Sequence, residues 1–371
     1  MSIKVNLIEP ISCHSFSHDR TQVAISSSNN KVHIYEEKNH KFCEKSVLEK
    51  HGMRITSIDW APKSNKIVTC SADKNAYVWN YTNGVWIPAW VVLRLHKAAT
   101  VVRWSPNENK FAVGSGDNKI AVCYFEKEQD WWICLHIKKP RSTVTCLDWH
   151  PNNTLIGCGS TDFKARIFVS FIKGVDDPNP PPSAWTTNKS QSNHHCIGEW
   201  PSKGMSGGWV HDVAFSPDGN HFAWVSHDSS VNLVHAKSIQ NIISLKTMDL
   251  PYLSLTWLST KTLIAAGYDC SPVSFKYDEK AEKLEYGEKL DKSTKKETDG
   301  FSAMRKFRDM DKFAISLNDH TSSVGDSGPE TTHQNSIKEI RPFAHKGENV
   351  VQISSVGFDG KLVVWDVSRY V

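Results

Sequence analysis

No apolar run in this 371-residue chain approaches the length of about 20 residues that a membrane helix needs; the longest lies around Trp86–Leu93. The opening MSIKVNLIEP carries Lys4 and Glu9 with no continuous apolar core, so it does not read as a secretory signal, and the expected location is the cytosol or nucleus. Nine cysteines are scattered, odd in number and without a C-x-x-C pair, which argues against a disulfide framework and a zinc site. They are expected to be reduced and mostly buried. Charge of one sign is also missing: 44 basic against 40 acidic residues leave a net +4, too small to draw the chain onto nucleic acid or an anionic membrane.

Catalytic signatures are absent as well. There is no G-x-S-x-G elbow, phosphate loop, dinucleotide fingerprint or H-E-x-x-H pair. The one Gly-rich piece, VGSGDNK, sits between two strand patterns with no helix to hold a phosphate, and HIKKPR lacks the aromatics of a nucleic-acid face. The expectation is no catalytic residue, cofactor, metal, nucleic-acid partner or membrane insertion. What remains is ordinary globular material, 39% hydrophobic and 23% charged.

That material is periodic. An aromatic is followed thirteen residues later by a polar turn residue in Phe16/Asn29, Trp60/Asp73, Trp104/Asp117, Trp149/Asp162 and Phe215/Asp228, and twelve later in Trp257/Asp269. Six residues beyond each turn lies a third position, filled by Tyr35, Trp79, Cys123, Phe168, Val234 and Phe275, and Trp365 after Asp359 supplies a seventh repeat. Between these points the residues alternate or run apolar in short β-rich pieces, as in KIVTCSADKNAYVWN. Anchor steps of 44, 44 and 45 residues match the four-stranded blade of a WD-repeat β-propeller. The expected fold is therefore all-β, a single seven-bladed propeller over residues 1–371. Ile3, Val5 and Leu7 alternate with polar residues, and a strand at 3–8 is expected to close the last blade.

Blades of this kind commonly link a loop His, the turn Asp, a Ser or Thr and a strand Trp by hydrogen bonds. His51, Asp73 and Trp79 are the clearest candidates, with His96/Asp117 and His333/Asp359 as looser copies; Asp162, Asp228, Asp269 and Trp365 fall at the same framework positions. A His–Asp pair recurring at a framework period reads as structure rather than as a general base.

Two stretches break the period. Residues 172–207 are rich in Pro, Ser and Asn and are expected to be a loop insertion, with Trp185 and Trp200 pinning it to the rim; His194, His195 and Cys196 are adjacent without a fourth metal ligand. Residues 278–332 form a charged insertion before the last blade, with flanks expected to be mobile or solvated. Within it, GFSAMRKFRDMDKF places Phe301, Met304, Phe307, Met310 and Phe313 three apart, which allows two turns of amphipathic helix near 300–312. Thr298, Asp299 or Ser302 would cap it. This stripe either folds back on the propeller or is a recognition arm whose apolar face is bordered by Arg305, Lys306, Arg308 and Lys312.

The phrases RITSIDWAPKSNKIVTCSADKNAYVWN, VRWSPNENKFAVGSGDNKIAVCYFEKEQDWWICLHIKKPRSTV, LDWHPNNTLIGCGSTDFKARIF and GWVHDVAFSPDGNHFAWVSHDSSV resemble one family over nearly the whole chain, the WD-repeat subunit of the actin-related protein 2/3 complex. The resemblance implies a non-catalytic propeller that holds other subunits of an assembly which, once switched on by nucleation-promoting factors, grows a new actin branch from an existing filament. It also implies an arm that touches mother-filament actin or an activator, here Phe301, Met304, Arg305, Lys306, Phe307, Arg308 and Met310. Ala303, Phe307, Asp311 and Lys312 fit the family phrase, whereas Met304 stands where a charged residue is expected. A free-standing WD adaptor that presents substrates to an enzyme such as a ubiquitin ligase is the other function class the fold allows.

Overall fold

The aromatic of each repeat is the last residue of a strand: Cys13–Phe16, Ile55–Trp60, Ala99–Trp104, Val144–Trp149, Val210–Phe215 and Tyr252–Trp257. In the computed structural model, which describes residues 2–39, 41–185, 194–201, 207–291 and 331–371, each of these begins a four-stranded antiparallel sheet. A seventh sheet begins with Ile337–Lys346. Each first strand touches the first strand of the next sheet, and the seventh touches the first, so the sheets close into a seven-bladed propeller around a central channel. The second strands, such as Lys110–Ser115 and Leu155–Ser160, are buried along their whole length because each blade is covered by neighbours on both faces. The core lies between blades; Val68 and Val78 of the second blade pack with Val102, Phe111 and Trp132 of the third.

Cross-strand register explains the spacing. Trp60 pairs with Ile67 and Ile67 with Trp79, so the three recurring positions form one row across the blade. The hairpin after Trp257 is one residue shorter, since Trp257 pairs with Leu263, which accounts for the spacing of twelve. In the seventh blade Trp365 pairs with Ile353 and Ile353 with Pro342, so a proline holds the anchor position and the hairpin is four residues longer. That is why the last repeat shows only its turn and third-strand positions to a spacing search.

Two expected loops contain strands. Cys196–Pro201, inside the Pro/Ser-rich stretch, is the fourth strand of the fourth blade, and Asp176 near its start is buried. The apparent insertion there is thus shorter than 172–207. Likewise Lys283–Lys289, in the charged tract, is the fourth strand of the sixth blade. Both are outermost strands with one covered face, where exposed charges cost little and compositional cues are weakest. Among the described residues there is no α-helix, only the short 3-10 turns Ala236–Ser238 and Ser368–Tyr370, and no helix is long and apolar enough to cross a membrane. The stretch near 300–312 lies outside the described residues.

The ring closes through its N-terminus. Ser2–Asn6 pairs antiparallel with Lys361–Asp366 as the outermost strand of the seventh blade, two residues shorter at its end than the alternation indicated. The chain then continues against the turn at Gly360, where the Leu7 N–H donates to the Gly360 carbonyl at 2.8 Å. Gly360 has φ +76, and a Cβ there would stand 2.1 Å from the Leu7 carbonyl oxygen, so only glycine fits this crossing.

Candidate functional site

Four turn aspartates, Asp73, Asp117, Asp162 and Asp359, accept from a backbone N–H of the loop that leads into their blade. Asp73 accepts from the N–H of Asn75, two residues on, at 2.9 Å and from the N–H of Gly52 in the entering loop at 2.9 Å. Asp359 does the same with Lys361 and Gln334. In the second blade the imidazole of His51 bridges Asp73 (2.9 Å) and Thr69 Oγ1 (2.9 Å), and the Trp79 indole N–H donates to Thr69 Oγ1 at 3.0 Å. In the seventh, His333 bridges Asp359 (3.0 Å) and Ser355 Oγ (2.7 Å), and the Trp365 indole donates to Ser355 Oγ at 2.7 Å.

His333 is therefore a full copy of the His51 arrangement and not a looser one. His96 departs from it: only its backbone N–H reaches Asp117, at 3.4 Å, and the cation beside that carboxylate is Lys119. The remaining framework aspartates use other partners. Asp162 takes a two-pronged contact from Arg166 (2.7 and 3.0 Å), whose Nε also donates to Glu199 at 2.7 Å; Asp228 accepts from the Ser230 hydroxyl at 2.6 Å; Asp269 meets Lys289 at 3.1 Å. His51 and His333 are shut from solvent, and both nitrogens of each ring face protein partners. Burial lowers the His51 pKa against the pull of Asp73, so the ring stays neutral at pH 7. A base of this kind holds four segments of a blade together and has no path to a substrate.

The polar network that sequence reasoning missed lines the channel. At each junction between blades, a side chain of one first strand bonds to the backbone of its neighbour. Ser15 accepts from the Trp60 N–H, Asp59 from Trp104, Asp148 from Phe215, Asp212 from Leu255, Ser254 from Ile340, and Glu339 from His14, all between 2.7 and 3.1 Å. At the remaining junction the Thr100 hydroxyl donates to the Val144 carbonyl at 2.6 Å and the Trp149 indole donates back to the Arg103 carbonyl at 3.1 Å. A cue was present in the sequence, for Asp59, Arg103 and Asp148 each immediately precede an anchor tryptophan.

Charge is distributed unevenly around this channel. On one side Arg341 reaches Asp59 (2.6 Å) and Glu339 (3.0 Å), and Arg103 reaches Glu339 at 3.1 Å. Burial works to raise the Glu339 pKa, but Arg341, His14 and Arg103 outweigh it and hold the carboxyl well below its usual range. On the other side Asp148 and Asp212 line a cavity of 370 Å³ that Arg103 and Arg341 also border, and among the described residues no cation is hydrogen-bonded to either acid. Burial, reinforced by the charge of Asp212, pushes Asp148 up to about 7.

A carboxyl whose folded pKa exceeds its unfolded value of 3.8 makes the fold less stable as pH rises from about 4 to about 7. Asp148→Asn keeps the acceptor for the Phe215 N–H and removes the charge. Its melting temperature should exceed that of the unsubstituted chain at pH 8, by a gain of about 2 kcal/mol once channel water is allowed for, and the gain should vanish at pH 4. An advantage equal at both pH values would refute the assignment.

Of the arm candidates Phe301, Met304, Arg305, Lys306, Phe307, Arg308 and Met310, none lies within the described residues. The flanks of that segment are described: Asp291 and Thr332 meet through a hydrogen bond from the Thr332 N–H to the Asp291 carboxylate at 2.5 Å. The chain thus leaves and re-enters the propeller at one point, on the face where the first strands begin. That face carries exposed Met53, Trp209, Leu250, Tyr268 and Phe358. His194 and His195 continue the antiparallel pairing onto Val169 through their backbones, and Cys196 pairs with Phe168. Trp185 and Trp200 are buried, with ring centroids 5.9 Å apart and indoles donating to the carbonyls of Gly219 and Ile239 in the fifth blade.

Comparison with known proteins agrees with this geometry. The model of the WD domain, G-beta repeat family matches residues 42–80, 132–168 and 195–234. Each match begins in or one residue before the outermost strand of one blade and ends in the third strand of the next, so the unit of sequence straddles two sheets. Actin-related protein 2/3 complex subunit 1A-B of Xenopus laevis is 47% identical over 99% of this chain and 96% of its own length. Subunit 1 of the same complex in Schizosaccharomyces pombe is 40% identical over 95% of each chain, and subunit 1B in Arabidopsis thaliana is 38% identical over 97% of this chain and 95% of its own. Identity at that level over 99% and 95% of the chain means that the chain belongs to the family of subunit 1 of the actin-related protein 2/3 complex.

Proposed function

We propose that this chain is a non-catalytic scaffold subunit of the actin-related protein 2/3 complex that supports nucleation and branching of actin filaments. The observation that carries the reading is end-to-end identity of 47% with a protein named as subunit 1 of that complex. The His–Asp pairs favour it too, since both are enclosed and spent on holding blades together. The partners are the other subunits, the actin filament and nucleation-promoting factors, and the place of work is the cytoplasmic actin cytoskeleton, with the nucleus as a further location. The segment with Phe301, Met304, Arg305, Lys306, Phe307, Arg308 and Met310 is assigned to contact with mother-filament actin or an activator, on its sequence pattern and its departure from an exposed apolar face.

A tagged chain expressed in cells is expected to co-purify the two actin-related proteins in stoichiometric amounts; recovery of ubiquitin-ligase subunits in their place would favour the adaptor. In the same preparation, Phe301→Ala with Phe307→Ala should leave assembly intact and weaken filament attachment, with roughly 2 kcal/mol or more lost for a true anchor. Collapse of assembly with normal filament binding by the residual complex would place the stripe against its own propeller instead.

A further inference from the structure

In the third blade the recurring third-strand position, which holds Tyr35, Trp79, Phe168, Val234, Phe275 or Trp365 elsewhere, is Cys123, and the residue directly opposite it on the outermost strand is Cys134. All nine cysteines lie among the described residues, and this is the one pair in direct cross-strand register. Cys146 faces Gly159, Cys158 faces Leu147, and Cys196 faces Phe168. Directly opposed residues of antiparallel strands have Cα atoms about 4.5–5.5 Å apart, inside the window of about 4.4–6.8 Å that a disulfide spans. The register sets the two thiols on facing positions of adjacent strands, and the Cys123 thiol donates only a long hydrogen bond, to the Ala121 carbonyl at 3.9 Å. Cys123 is wholly buried between blades, whereas Cys134 is half-buried on a strand with a neighbour on one side only.

We propose that Cys123 and Cys134 form a redox modification site, oxidised by hydroperoxides to an intrachain disulfide that clips the outermost strand Trp131–Ile137 to the body of the third blade. The more accessible Cys134 reacts first. Its thiolate attacks the O–O bond of hydrogen peroxide, gains one oxygen as a sulfenic acid, and releases hydroxide, which becomes water with the proton the thiol gave up. The Cys123 sulfur then attacks the sulfenic sulfur; the S–S bond forms, the S–O bond breaks, and the departing hydroxide takes the Cys123 proton as a second water. Two thiols lose two electrons and one peroxide becomes two waters. Burial shields the Cys123 thiol from oxidant and holds it well above its ordinary pKa, so it enters the second step through its position opposite Cys134 rather than as a free thiolate.

The test is differential thiol labelling of the full-length chain, alone and within its purified complex, after full reduction and exposure of the folded protein to hydrogen peroxide, with alkylation carried out under denaturing conditions so that buried thiols are read. Alkylation of Cys123 and Cys134 should be lost together, a peptide linking the two should appear by mass spectrometry, and dithiothreitol should restore both. In Cys134→Ser, Cys123 should remain alkylatable. In Cys123→Ser, a sulfenic acid on Cys134 should be trapped by dimedone, and this outcome needs only that the outer strand stay folded. If both thiols remain alkylatable at a peroxide dose that oxidises exposed Cys43, or if Cys134 links to another cysteine, the proposal is overturned.

Discussion

Deletion of residues 1–8 is expected to cost about 5 kcal/mol, most of the stability of a typical domain, and to leave a chain that melts at much lower temperature or aggregates on expression. Loss of the ladder between Ser2–Asn6 and Lys361–Val364 removes several backbone hydrogen bonds at about 1 kcal/mol each. Buried Val5 contributes about 2 kcal/mol more, through its cluster with Phe16, Leu362 and Val364. The deletion also exposes the edge of Lys361–Asp366, a hydrophobic strand with nothing to pair with, which is the usual starting point for edge-to-edge association. Thermal melting followed by circular dichroism, with light scattering for association, would measure both effects. A deleted chain that melts within a few degrees of the full one would show that the ring does not depend on this strand.

Asp176→Ala should be comparably damaging although it lies in a stretch with the composition of a surface loop. Asp176 forms an ion pair with Lys110, and both side chains are sealed from solvent, at 0% and 1% exposure. The same carboxylate accepts from the Ile172 N–H at 2.7 Å and from Asn109 and Asn153 at 3.1 and 2.8 Å, and Lys110 also donates to the Ser170 carbonyl at 2.7 Å. Removing the acid leaves an ammonium buried without its counter-charge, a loss of about 3–5 kcal/mol. Burial already lowers the Lys110 pKa, and loss of the acid would drive the amine further towards its neutral form. Lys110→Met with Asp176→Ala should recover a large part of the loss, because the pair is then replaced by apolar surface. Urea unfolding of the two single variants and the double variant closes the cycle. Equal destabilisation of the single and double variants would mean that the damage comes from lost packing rather than from an orphaned charge.

The two experiments probe different levels of legibility. The alternation of Ile3, Val5 and Leu7 marked a strand, but only Val5 is buried in it, since the register shifts between Ile3 and Val5 and leaves Ile3 exposed. The burial of Asp176 left no such local mark. Its partner is 66 residues earlier, and nothing within VDDPNPPP distinguishes a carboxylate that meets Lys110 from one that meets water. Fourth strands failed for a related reason: Cys196–Pro201 and Lys283–Lys289 are outermost, so their composition is free to be polar, and only pairing with the third strand defines them. His333 looked like a weaker copy of His51 because a pattern reports spacing, whereas its hydrogen bonds to Asp359 and Ser355 depend on where the entering loop turns.

By itself the sequence determined the number of blades, the third strand of each and the first strands of six, which rest on local alternation repeated at a regular step, and its phrases pointed to the family. Tertiary structure alone decided how the ring is held. The channel acids Asp59, Asp148, Asp212 and Glu339, the guanidiniums of Arg103 and Arg341, the sealed Lys110–Asp176 pair and the opposed thiols of Cys123 and Cys134 acquire their meaning from partners on other strands. Charge and reactivity are set by what surrounds a group, and in a closed ring those surroundings include residues from opposite ends of the chain, as in the contact of His14 with Glu339.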